Sequence, residues 1–185
     1  MITAIKIPVI PKKIRLIDAL LNQRGIQAVI QRENYSVDVA SKNDLDFIVD
    51  CQLKMALETE GIELNPETVM QGVKYIFTHP DRGFYVISRN QQQQPAAVLL
   101  VLKEWSDWRN GDVWWIHSVY VSAEYRRKRL FTKMFRFLEK LAQDNNIRGL
   151  RLYVEKSNQP AQRAYSALGM RKDRYDLFEK MFVNY

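Results

Sequence analysis

The chain has 185 residues, 46% of them apolar and 26% charged, with 28 Lys and Arg against 21 Asp and Glu for a net charge of +7. This is too apolar for a disordered chain, and the longest apolar run, Ala96 to Leu102, is far short of the ~18 residues of a membrane span. We therefore expect one globular domain without a membrane anchor. The start has neither a basic n-region nor a small-residue cleavage site, which predicts a cytoplasmic protein. Cys51 is the only cysteine, so an intramolecular disulfide or a multi-cysteine zinc site is excluded, and a buried, inert thiol is expected.

Residues 1–34 read as an N-terminal extension, partly helical around Ile14 to Leu21, and residues 35–185 as the main domain. Ser41 with Asp44 three residues on forms a capping-box pattern, and Leu45, Ile48, Val49, Leu53 and Ala56 follow at helical spacing, predicting a helix from about Asn43 to Glu58. Asn65-Pro66 opens a second helix, with Val69, Val73, Ile76 and Phe77 on one face up to His79-Pro80. Phe84 to Ser88 and Ala96 to Leu102 read as strands joined by a polar hairpin, and Asn110-Gly111-Asp112 turns into a long strand, Val113 to Val121. Leu130, Met134, Phe135, Leu138, Leu141 and Ala142 then form the apolar face of a helix ending near Asn145. Gly149 to Val154 is the next strand, parallel to its predecessor because a helix separates them. Asn158-Gln159-Pro160 opens a short helix stopped by Gly169, and Leu177 to Val183 supplies a last strand.

The excess charge is local. Between Ser122 and Lys140 there are seven cations and two anions, so this stretch holds +5 of the net +7, and Arg126-Arg127-Lys128-Arg129 are consecutive at the mouth of a helix. Cations at a helix N-terminus oppose its dipole, costing a few tenths of a kcal/mol each or more, so a compensating anion is expected. Unpaired backbone N–H groups and clustered cations suit a compact anion such as a pyrophosphate better than a duplex. A solvated helix start is the plainer alternative.

These residues resemble the GNAT superfamily of acyl-CoA-dependent N-acyltransferases, and the likeness runs from about Ser36 to Val183. The family's pyrophosphate turn follows Q/R-x-x-G-x-G/A; here the matching stretch is Arg126-Arg127-Lys128-Arg129-Leu130-Phe131, which keeps only the first position. The stretch from Leu152 through Asn158 and Ala161-x-x-x-Tyr165-x-x-x-Gly169-Met170 is similar to the family's strand, Asn-bearing loop and Tyr-bearing helix nearly position for position. The resemblance implies an α/β GNAT fold: a mixed, mostly antiparallel sheet, helices on both faces and a splayed parallel strand pair. Helical angles would not demand glycine at Arg129, whose side chain either obstructs a pyrophosphate or adds a charge-assisted bond.

The resemblance further implies acetyl-CoA as cosubstrate, with Val119, Val121, Arg126, Arg127, Lys128, Arg129, Leu130, Phe131 and Asn158 as its binding residues and no metal. Tyr165 matches the family's acid, and a phenol with a reference pKa of ~10 is protonated at neutral pH; it also reads as a core residue beside Ala161 and Leu168. Asn158 either contacts the CoA arm or caps the helix. The base is less defined: His117 in the long strand has a suitable reference pKa of ~6.5 and, absent a bulge, shares a side with Val119 and Val121, but a lone strand histidine is more often structural, and Tyr153 and Glu155 are alternatives. Glu58, Glu60, Glu63, Trp105, Asp107, Trp108 and the Trp114-Trp115 pair lie where relatives select the acceptor, and taken singly they read as a solvated turn and sheet packing. The expected activity is acetyl transfer to a primary amine on a small molecule or polypeptide by direct attack in a ternary complex. A catalytically weak acyl-CoA-binding or sensory module is the alternative, with nucleic-acid binding further behind and a homodimer left open.

Overall fold

The structure, a computed structural model, describes residues 35–173 and 176–183. The predicted N-terminal helix lies outside the described residues. The first described element is a strand absent from the sequence reading, β1 (Tyr35–Val39), followed by a short 3-10 turn and the helices α1 (Leu45–Glu60) and α2 (Pro66–Thr78). Three antiparallel strands come next: β2 (Gly83–Asn90), β3 (Pro95–Ser106) and β4 (Gly111–Val121). They lead into α3 (Leu130–Asp144), β5 (Gly149–Leu152) and α4 (Gln159–Ala167).

Helix starts follow their sequence signals. The Ser41–Asp44 capping box forms, and buried Asp44 also pairs with Arg89 at the end of β2, tying the entry of α1 to the sheet. Asn65 accepts from the N–H groups of Glu67 and Thr68 at the head of α2, with Pro66 at the first helical position. Gly61 ends α1 in the left-handed region, at φ 67°.

The five strands lie in the order β1-β2-β3-β4-β5, antiparallel except for the β4–β5 pair, which is parallel. Helices cover both faces. On one side the predicted stripe of α3 (Leu130, Met134, Phe135, Leu138, Leu141, Ala142) is buried against Val86, Leu99, Val101, Trp114 and Ile116. Each Leu, Met or Phe of the stripe contributes roughly 1.5–3 kcal/mol on burial, which fixes α3 across the sheet. On the other side α1 and α2 pack Ile48, Val49, Cys51 and Val73 against Tyr85, Val98 and Tyr120.

Two irregularities of β4 decide the shape of the site. Val98 pairs with Tyr120 but Leu100 pairs with His117, so Leu99 alone faces Ser118 and Val119: a β-bulge, with Ser118 at φ 49°. On its other edge β4 pairs with β5 only as far as Ile116 and Leu152. The expected extension of β5 to Val154 therefore does not form, because β4 turns away at the bulge and leaves Tyr153 and Val154 without a partner. No strand forms over Leu177 to Val183 either: Leu177, Phe178, Met181, Phe182 and Val183 are all exposed. A strand exists only with a neighbour to bond, and alternation along these residues supplies none.

Candidate functional site

The site is built where β4 and β5 part. Beyond Ile116 the β4 backbone has lost its parallel neighbour, so groups that β5 satisfied further back face an opening between His117–Val121 and the residues after Leu152. Val119 and Val121 present half-buried side chains to the α3 side, while Tyr120 is buried on the α1–α2 side.

The bulge settles where His117 lies. Trp114 and Ile116 belong to the α3-side core, so Trp115 and His117 point to the opposite face; after the extra residue the phase is reversed, and Val119 and Val121 return to the α3 side. Simple alternation placed His117 with Val119 and Val121, but the bulge puts them on opposite faces. The imidazole is half-buried, 6.0 Å from the Tyr153 ring and 6.3 Å from the Trp115 ring between centroids, and burial lowers its pKa below the ordinary 6.5. It is a neutral ring at pH 7.

The cation turn follows β4 through a single 3-10 turn, Ala123–Tyr125. Arg126 is engaged: its Nε donates to the Val121 carbonyl at 3.0 Å, a second guanidinium nitrogen binds Glu58 at the end of α1, and its plane lies 5.6 Å from the Tyr120 ring. Glu58 also accepts from the Tyr120 hydroxyl at 2.7 Å, and these two bonds hold its carboxyl below the usual carboxylate range. Glu58 is thus committed to the turn. Lys128 reaches over the Tyr125 ring at 5.1 Å, whereas Arg127 and Arg129 are exposed without an ion-pair partner among the described residues.

Arg129 corrects one expectation. It is the N-cap of α3 and sits at φ 60°, ψ 26°, in the left-handed region that favours glycine; Arg127 is there too, at φ 63°. Backbone geometry therefore does call for glycine at Arg129. Its side chain makes no cap, and no acidic residue occupies the first turn, so the leading N–H groups of α3 stay uncapped beneath the cations. Leu130 is buried in the core, leaving only its backbone for a ligand, and Phe131 is half-buried.

The second block meets the first at Phe131. Asn158 caps α4 by accepting from the Ala161 N–H at 3.1 Å, and Tyr165, two turns on, sets its ring edge-on to Phe131 at 5.3 Å. Burial raises the Tyr165 pKa, so its hydroxyl keeps its proton. Tyr165 thus packs on the α3 side, against Phe131, while His117 lies on the α1–α2 side with Trp115 and Tyr153. The Trp114-Trp115 pair is divided, Trp114 in the core and Trp115 on the other face, and Trp105 and Trp108 are exposed, Trp108 at 88%.

Two features were missed by sequence reasoning. Ser118, the bulge residue, carries no glycine or asparagine signature, and the convergence of Glu104, Trp115 and Arg151 becomes visible only once the registers of three strands are known. Among the described residues no group of three or more His, Cys, Asp or Glu could hold a metal ion, and no helix is long and apolar enough to cross a membrane.

Residues 49–170 match the model of the acetyltransferase (GNAT) family. The chain is similar to the crystal structure of a possible acetyltransferase from Clostridium difficile 630, at 37% identity and a TM-score of 0.75, covering 82% of this chain and 100% of that one. It shares the fold of a predicted acetyltransferase with acetyl-CoA from Clostridium acetobutylicum, at 20% identity and a TM-score of 0.63 over 79% of this chain and 96% of that one. Glucosamine-6-phosphate N-acetyltransferase from Arabidopsis thaliana shares it as well, at 20% identity and a TM-score of 0.61 over 82% and 100%. No curated protein matches the sequence. With two thirds of its length inside the family's match and its strands splayed behind a cation turn, the chain belongs to the acetyltransferase (GNAT) family.

Proposed function

We propose that the domain, residues 35–185, transfers an acetyl group from acetyl-CoA to a primary amine by direct attack in a ternary complex. The observation that carries this reading is the opening between β4 and β5, bordered at one end by the uncapped start of α3 and its cations. The residues fit such a cosubstrate: an extended arm adds to an unpaired strand edge through main-chain bonds, and N–H groups beneath Arg127, Lys128 and Arg129 receive a pyrophosphate.

When bound, acetyl-CoA supplies an activated thioester. Main-chain groups at Val119 and Val121 align the arm along β4, and an N–H at the bulge donates to the acyl oxygen as charge gathers there. Arg127, Lys128 and Arg129, with the backbone of Leu130 and Phe131, hold the phosphates, while Arg126 braces the turn against Glu58. Neutral His117 takes the proton of the incoming ammonium from the α1–α2 side, which leaves a lone pair to form the N–C bond. Tyr165 donates its proton to the sulfur as the C–S bond breaks, the acylated nitrogen sheds its remaining extra proton to solvent, from which Tyr165 is reprotonated, and Asn158 keeps α4 in place beneath it. Acid and base on separate sides of the acyl group serve two different substituents of one carbon, the entering nitrogen and the departing sulfur.

One observation favours the alternative, an acyl-CoA-binding module of weak activity: Arg129 occupies a left-handed position where a side chain crowds an approaching phosphate. Calorimetric titration with free CoA and acetyl-CoA, followed by an amine screen with thiol detection, separates the two. Binding with amine-dependent thiol release supports the transferase, binding without release supports the module, and absence of binding refutes both.

A further inference from the structure

On the α1–α2 face, beside the bulge, three rings form a continuous wall. Trp115 of β4 stacks on Tyr153 just past the end of β5, at 4.6 Å between centroids and 29° between planes, and His117 meets the Tyr153 edge. The wall faces solvent: Tyr153 is 53% exposed. Its charges are internally balanced. Glu104 of β3 accepts the Trp115 indole N–H at 2.7 Å through one carboxylate oxygen and an Arg151 nitrogen at 3.0 Å through the other, and Arg151 lies over the Trp115 ring at 5.4 Å.

Glu58, at the nearby end of Tyr120, spends both oxygens on Tyr120 and Arg126, and Glu155 accepts from the N–H and hydroxyl of Ser157. Among the described residues the carboxylate bonded to a ring of the wall, Glu104, is thus matched by Arg151 and is not left to receive a second positive charge on a substrate. A polyamine or a lysine-rich peptide needs such carboxylates, whereas a planar apolar body needs only the exposed face of Tyr153. The cation–π face of Trp115 is already taken by Arg151, and His117 is uncharged.

We infer that the acceptor is a monoamine carried on an aromatic body, whose ring stacks on Tyr153 against the Trp115 wall while its amino group reaches toward His117. This rests on the transferase reading above, and it makes Tyr153 a specificity-determining residue. The test titrates 2-phenylethylamine, tryptamine and spermidine into protein saturated with free CoA, and measures thiol release for each with acetyl-CoA. The aryl amines are expected to bind, with KM values about 10-fold or more below that of spermidine. Tyr153→Ala weakens them about 3- to 10-fold without changing the KM for acetyl-CoA, and Tyr153→Phe, which keeps the ring, restores the loss. Aryl-amine binding that depends on Tyr153 but yields no thiol release would keep the aromatic binding wall while sinking the transferase reading, and with it the acceptor role inferred here. Thiol release that prefers spermidine, or aryl-amine affinity indifferent to Tyr153→Ala, would overturn the inference and leave the transferase reading in place. Failure of both aryl amines to bind would overturn it as well.

Discussion

Arg129→Gly and Arg129→Ala both remove the guanidinium but differ in backbone freedom, so their comparison isolates the conformation of the turn. Arg129 is held at φ 60°, and the left-handed region costs a residue with a Cβ roughly 1–2 kcal/mol. Glycine escapes that cost but loses about 0.5–1 kcal/mol more chain entropy than alanine on folding. The difference leaves Arg129→Gly more stable than Arg129→Ala by about 0.5–1 kcal/mol. In a domain of this size that is a rise of roughly 1–4 °C in Tm. The neighbouring Lys128 does not have positive φ, so there the order reverses and Lys128→Gly falls below Lys128→Ala by about 0.5–1 kcal/mol. Thermal and urea unfolding of the four variants, followed by circular dichroism, reads both differences. If Arg129→Gly is no more stable than Arg129→Ala while Lys128 shows the expected order, the left-handed cap at α3 is refuted, and with it the crowding that favours a weak binding module.

Three further outcomes follow from the site. Tyr165→Phe should lower turnover by about 10²- to 10⁴-fold while CoA affinity measured by calorimetry stays within about twofold; equal losses in both would reduce Tyr165 to a packing partner of Phe131. Burial keeps His117 neutral down to a pH below 6.5, so kcat/KM should be flat near pH 7 and fall as pH drops through that lowered value, and His117→Gln should abolish this acid limb. The sign for stability is the same: the folded chain binds this proton less readily than the unfolded one, so stability is lost as pH falls from about 6.5 through the folded value. Cys51 is 1% exposed and its thiol is pushed up to about 12, so a thiol reagent should leave it unmodified in the native protein and titrate one equivalent in denaturant; rapid native labelling would contradict its place on the buried face of α1.

What the sequence by itself determined is whatever a short stretch of chain decides with its own neighbours. The stripe of α3 is buried residue for residue as its spacing predicts, because a 3.6-residue period has only one way to face a sheet. Asn65-Pro66 and Asn158 cap their helices because the cap bonds span only two or three residues. The cation cluster and the Tyr-bearing helix were legible for the same reason, as composition and pattern within one segment. What only the tertiary structure decided depends on how distant segments pair. Period-two alternation carries no record of a bulge, so the face of His117 was fixed by one residue of β3 standing opposite two of β4. The end of β5 was fixed by where β4 turned away, and the backbone at Arg129 by the turn that joins a strand to a helix packed across it. Glu58 met Arg126 across 68 residues, and Glu104 met Arg151 across 47. Such encounters are products of register and packing, which no local signal encodes, and they set the charge balance at the mouth of the site.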